Sequence, residues 1–192
     1  MSRGLKIVIA VVGVVLVVGA LIAGWVIGEY NRVIAMDEGI AAQWAQVENQ
    51  LKRRYDLIPN LVETVKGYAS HERELFEHIA DARTKYFQAG TVGEKAAASG
   101  RLEGVLSRLL LLQEQYPQLK ANESFMKLQD SLEGTENRIA VERMRYNESV
   151  QALNTYVRTF MGRFFAALAN VEKGEYFEVP EGEQAVPTVN FK

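Results

Sequence analysis

The sequence contains no cysteine. Disulfides, thiolate nucleophiles, zinc–thiolate sites and a lipidated N-terminal cysteine are therefore excluded, and the redox compartment is left open. Proline is scarce, with four in 192 residues. That scarcity favours long helices, because an interior proline removes a backbone donor and costs about 3 kcal/mol. Histidine is limited to His71 and His78. Charge of one sign is also missing. The net charge is −2, so no general attraction to nucleic acid is expected and no nucleic-acid partner. The chain has no Gly-rich phosphate loop, no Gly-x-Ser-x-Gly elbow and no internal repeat of roughly 20–50 residues.

What the chain does have begins with a charge-free run at residues 7–27, in which fourteen of 21 residues are Val, Ile or Leu. Those side chains favour insertion by very roughly 6 kcal/mol in total, and the length suits a bilayer core. A signal-peptide core is shorter, with a small-x-small cleavage site. Leu21-Ile22-Ala23 puts a bulky residue where that site needs a small one, so an uncleaved transmembrane helix is the expectation. Arg3 and Lys6 precede the span, and Arg32 alone follows it until Lys52. The positive-inside rule then puts residues 1–6 in the cytoplasm and the rest outside the cell (inner) membrane, a single-pass topology. Ala20, Gly24 and Gly28 form a small-xxx-small row on which two such helices could pack.

No Gly-, Pro- or Ser-rich linker follows the span. An apolar stripe continues through Tyr30, Val33, Trp44, Val47, Leu51, Tyr55, Ile58, Leu61 and Val65, the period of one helix face. The stripe keeps its phase across Pro59, which favours one kinked helix over two. Gly67 to Ser70 is the first turn signal, with Ser70 the expected cap of a second helix ending near Phe87. Thr91-Val92-Gly93-Glu94 is a capping box for a third helix, which Pro117 closes. Asn122 caps a fourth, whose stripe runs from Phe125 to Phe160. Short connections imply antiparallel neighbours. The expected fold is all-α: a single N-terminal transmembrane helix continuing into an antiparallel up-and-down four-helix bundle over residues 28–171, with coiled-coil-like packing. An extended acidic tail at 172–192, with two prolines and five acids, completes it.

Two segments, YNRVIAMDEGIAAQWAQVENQLKRRYDLIPNLVETVKGYASHE (Tyr30–Glu72) and LEGTENRIAVERMRYNESVQALN (Leu132–Asn154), with YFE at Tyr176–Glu178 and VNF at Val189–Phe191, resemble the LemA family of bacterial membrane-anchored helical proteins. The resemblance implies one N-terminal span and an antiparallel helical bundle. It brings no enzyme with it. One relative is associated with building magnetosome membranes, which suggests a membrane-organising role by analogy. The family's fourth helix ends in Phe-Pro, whereas this chain has Phe160-Met161-Gly162, so Gly162 is expected to supply the stop.

His71, Glu74 and His78 share a helix face, but neither His-Glu-x-x-His nor Glu-x-x-His is present. Surface histidines are the simpler reading, and no metal or cofactor is expected. Carboxylates are plentiful, yet a helical bundle of this size offers no glycosidase-like cleft. The polar group Arg53, Arg54, Asp56, Pro59 and Asn60, with Glu136, Arg138, Arg143 and Asn147 on the fourth helix, is the candidate site. It either fixes the register of helices one and four, or forms an assembly surface, or is plain solvated helix face. The expected function is a non-enzymatic membrane scaffold, a homo-oligomer in the bacterial cell envelope with a further unknown protein partner. An extracytoplasmic binding or sensory module for a peptide, lipid or cell-wall ligand is the alternative, and it requires an apolar pocket near the Pro59 kink.

Overall fold

A charge-free run and a stripe that keeps helical phase from Tyr30 to Val65 fold as one element. In a computed structural model, which describes residues 2–178, α1 runs unbroken over Arg3–Lys66 with Pro59 inside it. Five more helices follow: α2 (Arg73–Gln88), α3 (Val92–Gln115), the single turn α4 (Pro117–Lys120), α5 (Glu123–Tyr156) and α6 (Phe160–Ala169). No strand occurs among the described residues. Residues 179–192, with most of the expected tail and the Val189–Phe191 motif, lie outside them.

The chain divides into two compact units. One comprises residues up to Ala41 with Ser149–Gly174, and the other comprises Ala42–Glu148 with the segment from Glu175. In the first, the side chains of residues 7–25 and of Ile27 stand exposed, as lipid-facing positions do. Its core is Val33, Phe165 and Ala166, packed by Val26, Tyr30, Tyr156, Val157, Ala169 and Val171. In the second, α1 buries Val47, Leu51, Tyr55, Ile58, Leu61 and Val65. α2 contributes Ile79, Ala82 and Tyr86; α3 contributes Leu102, Leu106, Leu109 and Leu112; α5 contributes Phe125, Leu132, Ile139 and Tyr146.

The caps show where local sequence decides. The Thr91 side chain accepts from the Glu94 N–H, while Glu94 accepts from the N–H groups of Gly90 and Thr91. Those backbone donors hold the Glu94 carboxyl below its ordinary range. Asn122 Oδ1 accepts from the Phe125 N–H at 3.0 Å and opens α5.

Four local expectations are corrected or extended. Ser70 does not cap α2, because the helix begins later, at Arg73, behind Glu72, with no side-chain cap. Pro117 does not merely close α3. It also starts α4, where its missing N–H costs nothing. Gly162 does not end the fourth helix: α5 stops at Tyr156, and Gly162 lies inside α6. Thr159 sets that break, with extended backbone and a hydroxyl that accepts the Gly162 N–H at 3.0 Å. Glycine is required at 162 because a Cβ there would lie 2.0 Å from the Tyr156 carbonyl oxygen. Phe160, expected on the inward stripe of the fourth helix, opens α6 instead and is 87% exposed.

Candidate interaction site

The polar group singled out in the sequence is not one surface. Arg53, Asp56, Pro59, Asn60 and Arg138 are exposed. The Asn60 backbone carbonyl accepts from Thr64 Oγ1 at 2.8 Å. Arg54 is different. Its side chain is 8% exposed, and Nη1 lies 2.6 Å from Glu136 Oε2, whose side chain is 36% exposed. α1 and α5 thus meet through one ion pair at the edge of the core. The pairing is close, but its angles are not those of an aligned hydrogen bond, and Arg54 Nε also lacks a partner among the described residues.

Beside it, Tyr55 stacks on Tyr86 with centroids 4.0 Å apart. Ser99 Oγ is the polar group that faces the Tyr55 hydroxyl, although neither oxygen has a well-aligned bond among the described residues. Burial raises the Tyr55 phenol above its ordinary range and pushes Tyr86 up to about 12. The buried Ala96, Ala98, Ser99 and Gly100 make this approach possible. A run of small residues carries no apolar stripe, so periodicity did not reveal that face.

Arg143 and Asn147 have a different partner from the one expected. Asn147 Oδ1 accepts from the Phe177 N–H at 2.9 Å, and its Nδ2 donates to the Phe177 carbonyl at 3.1 Å. The Arg143 guanidinium lies 4.7 Å over the Phe177 ring. Tyr146 donates to the Glu175 carbonyl at 2.7 Å, and burial pushes its phenol up to about 12. Phe177 is buried, and Trp44 lies 5.3 Å from Tyr146 and 6.0 Å from Phe177, ring to ring. Lys95, paired with Glu48, covers the Trp44 ring. These contacts seat the start of the tail against α1 and α5. In the other unit, Asn154 holds Gly174 through the same pair of bonds, each 2.9 Å. Asn154 was not singled out in the sequence. A short polar amide seven residues after Asn147 was the available signal.

Grooves indent the second unit. One, of about 300 Å³, is lined by Glu48, Asn49, Lys52, Tyr86, Phe87 and Lys95. Another, of about 230 Å³, lies beside Pro59, with Ile58, Val62, Phe76 and Ile79 as its apolar lining. Among the described residues no three His, Asp or Glu side chains gather as a metal site would need. His71 and His78 are exposed. Ala20, Gly24 and Gly28 are exposed on α1, and a Cβ at either glycine would meet nothing within 4 Å.

The model of the LemA family matches residues 43–191. Magnetosome proteins MamQ 1 and MamQ 2 of Paramagnetospirillum magneticum (strain ATCC 700264 / AMB-1) are each 27% identical over 208 residues, 94% of this chain and 75% of the relative. Magnetosome protein MamQ of Magnetospirillum gryphiswaldense (strain DSM 6361 / JCM 21280 / NBRC 15271 / MSR-1) is 27% identical over 186 residues, 83% of this chain and 68% of the relative.

Proposed function

From the premise that the chain belongs to the LemA family, we propose that it is a non-enzymatic, membrane-anchored scaffold that self-associates and organises a membrane patch or a complex on it. Membrane association itself is supported by the magnetosome relatives and by the apolar N-terminal helix. The observation that carries the proposal is the composition of α1. One unbroken helix holds both the charge-free run and the stripe that the second unit buries. In this reading α1, α2, α3 and α5 form an antiparallel four-helix bundle. Arg3 and Lys6 remain cytoplasmic, and the bundle lies outside the inner membrane. Ala20, Gly24 and Gly28 offer close approach to a second span, and the exposed Arg53, Asp56 and Asn60 offer a polar surface to a second copy or a partner protein.

Size measurement of the full chain in mild detergent tests this. A defined oligomer is expected at micromolar protein, and a strict monomer would count against the scaffold. The groove beside Pro59 favours one second reading, an extracytoplasmic binding module for an apolar peptide, lipid or cell-wall fragment. That reading expects a ligand-dependent rise in thermal stability, lost when Phe76 is replaced by a charged residue.

A further inference from the structure

A helix that is apolar all round belongs inside a protein or against lipid. α6, FMGRFFAALA, has one charged residue, Arg163. Its inward side is accounted for, since Phe165 and Ala166 form the core of the first unit with Val33, packed by Val26 and Tyr30. Its outward side is not. Phe160, Met161, Phe164 and Leu168 are 45–87% exposed. Water is a poor partner for four large apolar side chains on one short helix.

The place of this face identifies its partner. The Phe165 ring meets Trp25 edge-on at 5.8 Å, and Val26 packs against the same core. Trp25 and Val26 belong to the last turn of the charge-free run at residues 7–27. α6 therefore stands beside the end of the span, with Phe164 against Phe165 and Phe165 against the exposed Trp25, ring centroids 5.3 Å and 5.8 Å apart. Trp25, Tyr30 and Tyr156 gather at this level, as aromatic side chains do at a membrane–water boundary. Charge agrees with position. Between Glu148 and Glu172 there is no acidic residue, while Arg158 and Arg163 border an open groove of about 740 Å³ with Phe160, Met161 and Phe164. The nearby carboxylate, Glu29, accepts from the Tyr156 hydroxyl at 2.7 Å and faces Arg32 at 3.8 Å.

We propose that α6 is a second membrane contact, an interfacial helix beside the anchor, with Phe160, Met161, Phe164 and Leu168 in the acyl-chain boundary and Arg158 and Arg163 on lipid phosphates. The proposal rests on the anchoring of residues 7–27, so its test must separate the two. The native chain has no cysteine, and single spin labels can be placed at Leu16→Cys, Phe164→Cys and Lys120→Cys in the full-length protein. The protein is reconstituted in vesicles of equal parts phosphatidylcholine and phosphatidylglycerol. Collision with oxygen, which concentrates in lipid, is compared with collision with a water-soluble nickel chelate.

At positions 16 and 164 the label is expected to favour oxygen, and at 120 nickel. A label at 164 that favours nickel while that at 16 favours oxygen overturns the proposal and leaves the anchor standing. A label at 16 that favours nickel removes the anchor and the proposal together. Protection from both reagents, with spin–spin broadening, assigns the face to a second copy and also overturns it. Adding Arg158→Gln and Arg163→Gln is expected to make position 164 shallower, and unchanged depth overturns the phosphate contact.

Discussion

Replacing Glu136 by leucine should destabilise the protein more than replacing Arg54 by methionine, although the two form one pair. The asymmetry follows from exposure. Arg54 is 8% exposed, so losing Glu136 strands a buried guanidinium whose Nε already lacks a partner. Breaking a buried pair from that side costs about 3–5 kcal/mol. Glu136 is 36% exposed. Its Oε2 is buried against Arg54, but without Arg54 the partly exposed side chain can turn its carboxylate to water, and the loss falls to about 1–2 kcal/mol. The double variant Arg54→Met/Glu136→Leu should recover much of the deficit, with a coupling energy of roughly 1.5–3 kcal/mol. Denaturant unfolding of the full chain in detergent micelles, followed by far-ultraviolet circular dichroism, measures all four corners of the cycle. Equal single-variant costs, or a coupling below about 0.5 kcal/mol, would refute the argument. The same variants address assembly, since Arg54→Ala with unchanged oligomer size and unchanged stability would remove both the register and the assembly roles of this residue.

Other outcomes can be checked independently. Gly162→Ala should cost about 1–3 kcal/mol by overpacking, because the new Cβ meets backbone at 2.0 Å; hydrogen exchange across residues 156–171 should quicken, and unchanged exchange would contradict it. Asn147→Leu removes two hydrogen bonds to Phe177, each worth about 1 kcal/mol. Proteolysis at residues 175–178 and a change in Trp44 emission should report release of the tail. Burial raises the pKa of Tyr55, Tyr86 and Tyr146. Above their unfolded value of about 10 the unfolded chain has lost protons that the folded chain keeps. Stability contributed by their burial is therefore intact below about pH 10 and falls with rising pH, by about 1.4 kcal/mol per pH unit for each tyrosine that stays protonated in the fold. Between the unfolded value and about pH 12, tyrosinate absorbance from these three should appear mainly with unfolding. Finally, Lys120→Cys should react with an impermeant maleimide in intact spheroplasts, and protection until lysis would reverse the topology.

The helices were legible where period and caps agree. Thr91 to Glu94 and Asn122 are local chemistry, readable from four consecutive residues, and α1 announces itself by a stripe that never loses phase. The break between α5 and α6 was not legible, because Thr159 and Gly162 act through approach to the Tyr156 carbonyl, a contact that sequence spacing does not display. The candidate site divided for a similar reason. Arg54, Arg143 and Asn147 all looked like polar residues in a helical seam. Only tertiary position distinguishes a guanidinium paired to Glu136 from one stacked on Phe177. The aromatics Tyr176 and Phe177 mark the acidic segment as able to dock on the bundle or on a partner, but with no periodic signal they do not say that Phe177 is the one buried.

The continuity of α1 through Pro59 is decided by magnitude. Proline at 59 withholds the N–H that the Tyr55 carbonyl would accept, a loss of about 3 kcal/mol in a helix interior. Its side chain is exposed, so the ring displaces no packing on the buried face. Leu51, Tyr55, Ile58, Leu61 and Val65 are each at most 1% exposed. A break at the proline would rotate Leu61 and Val65 off that face. Burying two such side chains is worth roughly 3–6 kcal/mol, before the turn's other backbone bonds are counted. Packing therefore matches or exceeds the cost of the proline, and one helix through Pro59 is the lower state. The opposite substitution sharpens the point. Leu61→Asn and Val65→Asn together remove the packing and leave the backbone cost, so the helix should fray from Pro59 onward. Hydrogen exchange at residues 60–66 should rise well above that at 47–55, and equal protection on both sides of the proline would show that something other than the stripe keeps the helix continuous.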